Sequence, residues 1–121
     1  MADELQIDLG LKYKSDRMVE AVTRAIVAYI ASASGGHYAS GVLSVATSAT
    51  AIPMGSVATG GFAIFKNLDA TNYVTIRAGS GGADVVKLKT GESALFRLAT
   101  NTPYAIANSA AVNLEYLIVE D

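Results

Sequence analysis

Apolar and polar residues alternate at the start of the chain. Leucine or isoleucine stands at positions 5, 7, 9 and 11, and Glu4, Gln6, Asp8 and Lys12 occupy the opposite parity. Strict alternation of this kind is typical of a β-strand with one buried face. The pattern therefore predicts a strand across this segment.

Short apolar runs continue along the rest of the chain. They are GVLSVAT (41–47), FAIF (62–65), YVTIR (73–77), VVKLK (85–89), SALFRLA (93–99) and VNLEYLIVE (112–120). Turn-forming breaks separate them at 34–36, 59–61, 79–82 and 101–103. Short strands at such spacing are typical of a β-sandwich or barrel. We therefore predict an all-β fold, a small β-sandwich of jelly-roll type, as a single domain over 1–121.

The segment SDRMVEAVTRAIVAYIASA (15–33) fits two structures. Its apolar residues follow the stripe of an amphipathic helix, and Ser15 or Asp16 could cap that helix. Its second half, AIVAYIAS, also fits a buried strand, and periodicity does not separate the two. The pattern alone favours a short N-terminal helix from Asp16 to Ala31. Within residues 1–40 we thus expect an N-terminal strand followed by either a strand or a helix.

A polar insert, KNLDATN, separates the FAIF and YVTI runs. Asn67 and Asp69 can bond to their own backbone and start an Asx-turn. We favour a hairpin turn, which would place Phe62 and Ile64 beside Tyr73 and Thr75. A calcium site would need more carboxylates than the single one here, and a contact loop for a partner is the third alternative. VVKLK, Thr90-Gly91-Glu92 and SALFRLA predict a second hairpin with glycine in its turn.

Charge and composition narrow the function classes. Nine basic and eleven acidic residues among 121 give a net charge of -2, so nothing in the charge favours nucleic acid as a partner. The chain contains no run of about 18 apolar residues, so we expect no membrane-spanning helix. Hydrophobic residues nevertheless make up 51% of the chain, and residues 25–65 contain no Asp, Glu, Lys or Arg. Because a solvated surface normally carries both charges, we expect other protein chains to cover part of this surface.

Catalytic and metal-binding residue types are scarce. The chain has no cysteine and a single histidine, His37, which lies in a Gly/Ser-rich stretch without a nucleophile elbow. One histidine without cysteines does not make a zinc site. Glu120 and Asp121 are adjacent at the end of the sequence and are expected to form a solvated tail. The sequence thus predicts no enzyme, no cofactor and no metal.

Three stretches carry a resemblance to a known group of proteins. GFAIFKNLDATNYVTIR, KLKTGESALFRLA and NSAAVNLEYLIVED resemble small structural proteins of tailed-phage virions, over roughly 41–121. The resemblance favours a strand at AIVAYIAS. It implies a part of a virion, assembled in the host cytoplasm, and we favour a capsid decoration or stabilising protein. The alternatives are a head–tail adaptor or tail or fibre-base protein and, more weakly because the chain has no Trp, a carbohydrate-binding β-sandwich module for host attachment.

The expected partners are further copies of the chain and the major capsid protein or neighbouring virion proteins. The C-terminal strand has apolar residues at both parities, and a strand with two apolar faces is usually covered on both. Candidate interface residues are Val45, Leu117 and Val119, although Val45 and Leu117 could instead lie in the protomer core. A trimer is expected from the three-fold junctions of capsid lattices and from the resemblance.

Overall fold

The computed structural model of the chain describes residues 5–13, 22–31 and 37–121, and it describes side chains from His37 onward. These residues form ten strands and no helix. The described part of the chain therefore contains no helix that could cross a membrane. The strands are β1 (Leu5–Tyr13), β2 (Val22–Ala31), β3 (Tyr38–Val45), β4 (Thr50–Ala51), β5 (Gly60–Asn67), β6 (Val74–Arg77), β7 (Asp84–Leu88), β8 (Ser93–Arg97), β9 (Tyr104–Ala107) and β10 (Val112–Glu120).

The chain divides into two compact units, Met1–Ala33 and Ser34–Asp121. In the first unit β1 and β2 pair antiparallel as a two-stranded sheet. The strand at Val22–Ala31 shows that the helix favoured by the apolar stripe is wrong there, and residues 16–21 lie outside the described residues. The β-branched and aromatic residues of AIVAYI suit a strand, and pairing with β1 gives their backbone groups partners between strands rather than within a helix.

The second unit contains two four-stranded antiparallel sheets. The first sheet has the strand order β3-β10-β5-β8, and the second sheet has the order β4-β9-β6-β7. Every strand pair in both sheets is antiparallel. The prediction of an all-β fold is therefore confirmed for the described residues.

Buried side chains from both sheets belong to one hydrophobic cluster. In β10, alternate residues are buried, with Val112, Leu114 and Ile118 fully enclosed. The rings of Phe65 and Phe96 add an aromatic contact at 5.6 Å between centroids. Burial along β10 follows the period of two of a strand, so Leu117 lies on the face opposite the core rather than within it.

Both predicted hairpins are wrong in their strand partners. β5 pairs with β10 and β8, whereas β6 pairs with β7 and β9 in the other sheet. The connection over 68–73 therefore crosses between the sheets, and β7 and β8 are likewise in different sheets. A turn sequence fixes where the chain reverses, but burial of apolar faces decides which sheet each strand joins.

The turn chemistry itself is confirmed. The backbone N–H of Asp69 donates to Oδ1 of Asn67 at 2.7 Å, as in an Asx-turn. Gly91 has a φ of 75°, and the N–H of Glu92 donates to the carbonyl of Lys89 at 3.0 Å. Glycine suits this turn because a positive φ costs it little.

Asn67 joins the two crossing connections. Its side chain is fully buried, and Nδ2 donates to the carbonyls of Asn72 at 2.9 Å and Leu88 at 3.0 Å. Its own N–H and carbonyl bond to Glu92 and Gly91. A buried amide that satisfies carbonyls from two other segments fixes their positions, since an unpaired buried carbonyl is costly.

Candidate interaction surface

The first sheet turns alternate side chains away from the hydrophobic core. We call this surface the outer face. It consists of Tyr38, Ser40, Val42 and Ser44 of β3, Asn113, Glu115, Leu117 and Val119 of β10, Phe62, Ile64 and Lys66 of β5, and Ser93, Leu95 and Arg97 of β8.

Large hydrophobic side chains concentrate on the outer face. Among the described residues six such side chains are exposed, and four of them lie here, namely Tyr38 (65% exposed), Val42 (58%), Ile64 (41%) and Leu117 (37%). Scattered exposed apolar residues are ordinary, but a contiguous patch indicates a binding surface. The outer face is therefore the candidate site.

Strand register places these side chains in rows across the sheet. Leu117 lies opposite Ser40 on one side and Ile64 on the other, and Ile64 lies opposite Leu95. A shallow groove of about 480 Å³ opens along this row, with Leu117, Ile64 and Val42 in its lining. Directly opposed side chains on one face lie close enough to touch, so Leu117, Ile64 and Leu95 form a continuous apolar strip, with Val42 in the neighbouring row.

One pair of opposite charges lies at the middle of the outer face. Glu115 and Lys66 are opposite each other in the β10–β5 register, and both line the groove. Arg97, at the rim, pairs with the carboxylate of Asp121 and lies over the ring of Phe62 at 4.4 Å. The centre of the face thus combines an apolar strip with one acidic and one basic group side by side.

The three predicted interface residues separate. Leu117 and Val119 lie on the outer face, Leu117 exposed and Val119 half-buried. Val45 is fully buried within the hydrophobic core of its own chain. Its inclusion as an interface residue is corrected, because a side chain with no exposed surface has none to offer a partner.

Sequence reasoning missed Tyr38, Val42 and Ile64. For Ile64 the available signal was the run FAIF, in which Phe62 and Ile64 face outward and Ala63 and Phe65 face the core. Apolar residues at both parities indicate cover on both faces of a strand. The argument that identifies Leu117 on β10 therefore also identifies Ile64 on β5.

The polar insert uses its oxygens within the turn. Oδ2 of Asp69 accepts from the N–H groups of Asn72 at 2.6 Å and Thr71 at 3.0 Å. These bonds, led by the one from Asn72, hold the pKa of the Asp69 carboxyl below its ordinary value. Within the described part of the chain no group of three or more His, Cys, Asp or Glu residues is placed to hold a metal ion. The turn interpretation is the one that the geometry supports.

The end of the chain is not a solvated tail, which corrects that expectation. Nδ1 of His37 lies 2.7 Å from Oε2 of Glu120, whose side chain is only 13% exposed. The other carboxylate oxygen of Glu120 accepts from the N–H of Ala58, and the N–H of Asp121 donates to the carbonyl of Thr59 at 3.0 Å. These contacts fasten the end of β10 and so hold the outer face in place.

Comparisons with known proteins returned no relative. No protein-family model, no curated protein and no solved structure matches the chain.

Proposed function

We propose that the chain is a non-enzymatic structural protein of a tailed-phage virion, acting as a capsid decoration or stabilising protein. The observation that carries the structural role is the outer face, where the exposed Leu117 and Ile64 share an apolar strip and the exposed Val42 lies in the neighbouring row. A surface of this kind is suited to burial against protein. The assignment to a virion is supported by the resemblance of the three sequence stretches described above.

We also propose that the second unit is a β-sandwich of jelly-roll type. Its eight strands run in the order first, eighth, third and sixth in one sheet, and second, seventh, fourth and fifth in the other. This alternation between two four-stranded sheets supports a jelly roll, an architecture used by viral capsid domains. Burial of residues from both sheets in one cluster supports the packing of the sheets face to face.

In this proposal the protein adds buried area at junctions between capsid subunits and so resists internal pressure. Its partners are further copies of itself and the major capsid protein or neighbouring virion proteins. The absence of charge over residues 25–65 supports this, since burial there avoids the desolvation of ions. The trimer expected from capsid lattices stays a prediction. The site of action is the virion, assembled in the host cytoplasm.

Labelling of particles tests the proposal directly. Antibodies raised against the purified chain would be applied to particles of the virus that encodes it and viewed by negative-stain electron microscopy. Label distributed over the head is the expected result. Label confined to the tail or the neck would favour a tail or adaptor protein instead, and particles without label would contradict a virion role.

A further inference from the structure

We propose that the outer face pairs with the outer face of a second copy of this chain. The two copies are related by a two-fold axis that lies in the interface, parallel to the strands and over the midline between β10 and β5. The inference rests on the part of the proposed function that makes the protein a homo-oligomer. It does not require the protein to belong to a virion. It follows from the placement of charges and apolar side chains in the strand register.

The register makes the centre of the outer face complementary to itself. Glu115 of β10 is opposite Lys66 of β5, and Leu117 of β10 is opposite Ile64 of β5. Consider an axis parallel to these strands that lies above the outer face, over the midline between them. A rotation of 180° about it sets each strand over the other strand of the partner, at the same position along the strand. It therefore places Lys66 over the partner's Glu115 and Leu117 over the partner's Ile64, each contact occurring twice, as a two-fold interface requires.

The outer strands also match under the same rotation. β3 would lie over the partner's β8, which sets Val42 against the partner's Ser93 and Ser40 against the partner's Leu95, because these residues share rows with Glu115 and Leu117. No row brings two like charges together. Stacked sheets pack with their strands within about 30° of each other, so an axis along the strands gives an ordinary sheet-on-sheet geometry.

The area of the outer face is sufficient for a specific pair. Four strands about 4.8 Å apart and five to nine residues long, at about 3.3 Å per residue, give a face of roughly 500 Å². Two such faces bury on the order of 1,000 Å², which is near the lower limit for a specific interface. We therefore expect a pair that is concentration-dependent and sensitive to single charges.

The test is to mix two charge variants of the full-length chain. Lys66→Glu gives an outer face with two acidic groups at its centre, and Glu115→Lys gives one with two basic groups. In the two-fold pair each variant alone sets like charges against each other, and we expect at least tenfold weaker self-association by sedimentation velocity. An equimolar mixture should restore association, because each contact is then between opposite charges.

Mixing separates a contact between chains from one within a chain. Lys66 and Glu115 are also neighbours within one sheet, so each substitution could weaken folding. Mixing repairs nothing inside a chain, and circular dichroism with thermal melting of each variant would report folding separately. Lys87→Glu, on the second sheet, is the matched control and should leave association unchanged.

Each alternative result overturns the proposal in a different way. A wild-type oligomer that neither variant weakens would support the homo-oligomer but show that its contact lies outside the outer face. A wild-type trimer unaffected by either variant would be the clearest case. A wild-type monomer would contradict both the pairing and the homo-oligomer. Monomeric chains whose variants lose binding to particles would show that another virion protein covers the outer face.

Discussion

The outward surfaces of the two four-stranded sheets differ in how much large hydrophobic side chain they expose. On the second sheet, Asp84 accepts from Nε of Arg77 at 2.5 Å and from the hydroxyl of Thr75 at 3.2 Å. Nζ of Lys87 lies 4.1 Å from the centre of the Tyr73 ring. These polar groups are satisfied within the chain. On the outer face of the first sheet, Arg97 is likewise paired with Asp121 at the rim, but the centre presents an apolar strip beside Glu115 and Lys66.

The difference favours the outer face as the surface that would bind a partner. Charged groups paired within one face gain little from a second protein and must be desolvated to bind it. Exposed aliphatic side chains gain about 25 cal/mol for each Å² removed from water. Of the two surfaces, the outer face is the one for which burial is favourable.

The largest effect is expected where the first sheet faces the core. Val45→Asp would bury a carboxylate beside the hydrophobic cluster, where Val45 has no exposed surface. An unpaired buried charge costs several kcal/mol, so we expect the second unit to unfold at 25 °C, as measured by circular dichroism. Ser48→Asp, in the exposed loop that follows β3, is the control and should fold normally. A folded, soluble Val45→Asp chain would show that the inner and outer surfaces have been assigned wrongly.

The next effect concerns the residue that holds the crossings between the sheets. Asn67→Ala would leave the carbonyls of Asn72 and Leu88 without the side-chain donor that they have now. Because each unsatisfied buried polar group costs about 1–3 kcal/mol, we expect the free energy of unfolding to fall by about 2–4 kcal/mol in urea titrations. Asn113→Ala removes an exposed amide from β10 and should change it by less than about 0.5 kcal/mol. Equal losses in both variants would argue against the role given to Asn67.

The third prediction contrasts the two outward surfaces directly. Leu117→Lys should leave folding nearly intact, because Leu117 is 37% exposed, but should weaken self-association roughly 10- to 100-fold by adding an unpaired charge to the pairing surface. Val85→Lys changes a side chain that is 68% exposed on β7 of the second sheet and should leave association unchanged. Sedimentation velocity of both variants measures this, and an equal effect would remove the distinction between the surfaces.

The smallest effect is a pH dependence on the second sheet. The hydrogen bond from Arg77 is the main cause that lowers the pKa of the Asp84 carboxyl. Desolvation acts in the opposite direction, and the hydrogen bond from Thr75 lowers the pKa further. A carboxyl with a lowered pKa in the folded state stabilises above its ordinary pKa, and that stability is lost as the pH falls through the lowered value. Wild type should therefore melt slightly above Asp84→Asn at pH 7, and the gap should close as the pH falls below about 4. A gap that stays constant or widens on acidification would contradict the ion pair.

Local signals in the sequence predicted strands and turns, and they failed on strand partners. The run VNLEYLIVE corresponds to β10 residue for residue, and the Asn67–Asp69 turn forms as its side chains indicated. β5 and β6 are neighbours in sequence, but β5 pairs with β10, which begins 45 residues after β5 ends, at 112 against 67. Nothing within FAIF or YVTI specifies that choice, which depends on burying faces contributed by distant strands.

The candidate surface was predictable only in part, for a related reason. Leu117 and Val119 stood out because β10 is apolar at both parities. Val45 was indistinguishable from Val42 in the uncharged run GVLSV, yet Val45 faces the core and Val42 faces outward. The parity of a short strand without charged residues becomes clear only when its register with β10 is known.

Thiol labelling tests the central claim, that the outer face is covered in the assembled protein, most directly. The chain has no cysteine, so Val42→Cys and Val85→Cys each introduce one thiol at comparably exposed positions on the two sheets, 58% and 68%. The rate of reaction with a soluble maleimide would be measured at rising protein concentration. We predict that labelling at position 42 slows as association proceeds, while labelling at position 85 keeps a constant rate. A labelling rate at position 42 that stays as constant as the rate at position 85, up to concentrations where sedimentation shows a fully associated protein, would contradict the claim.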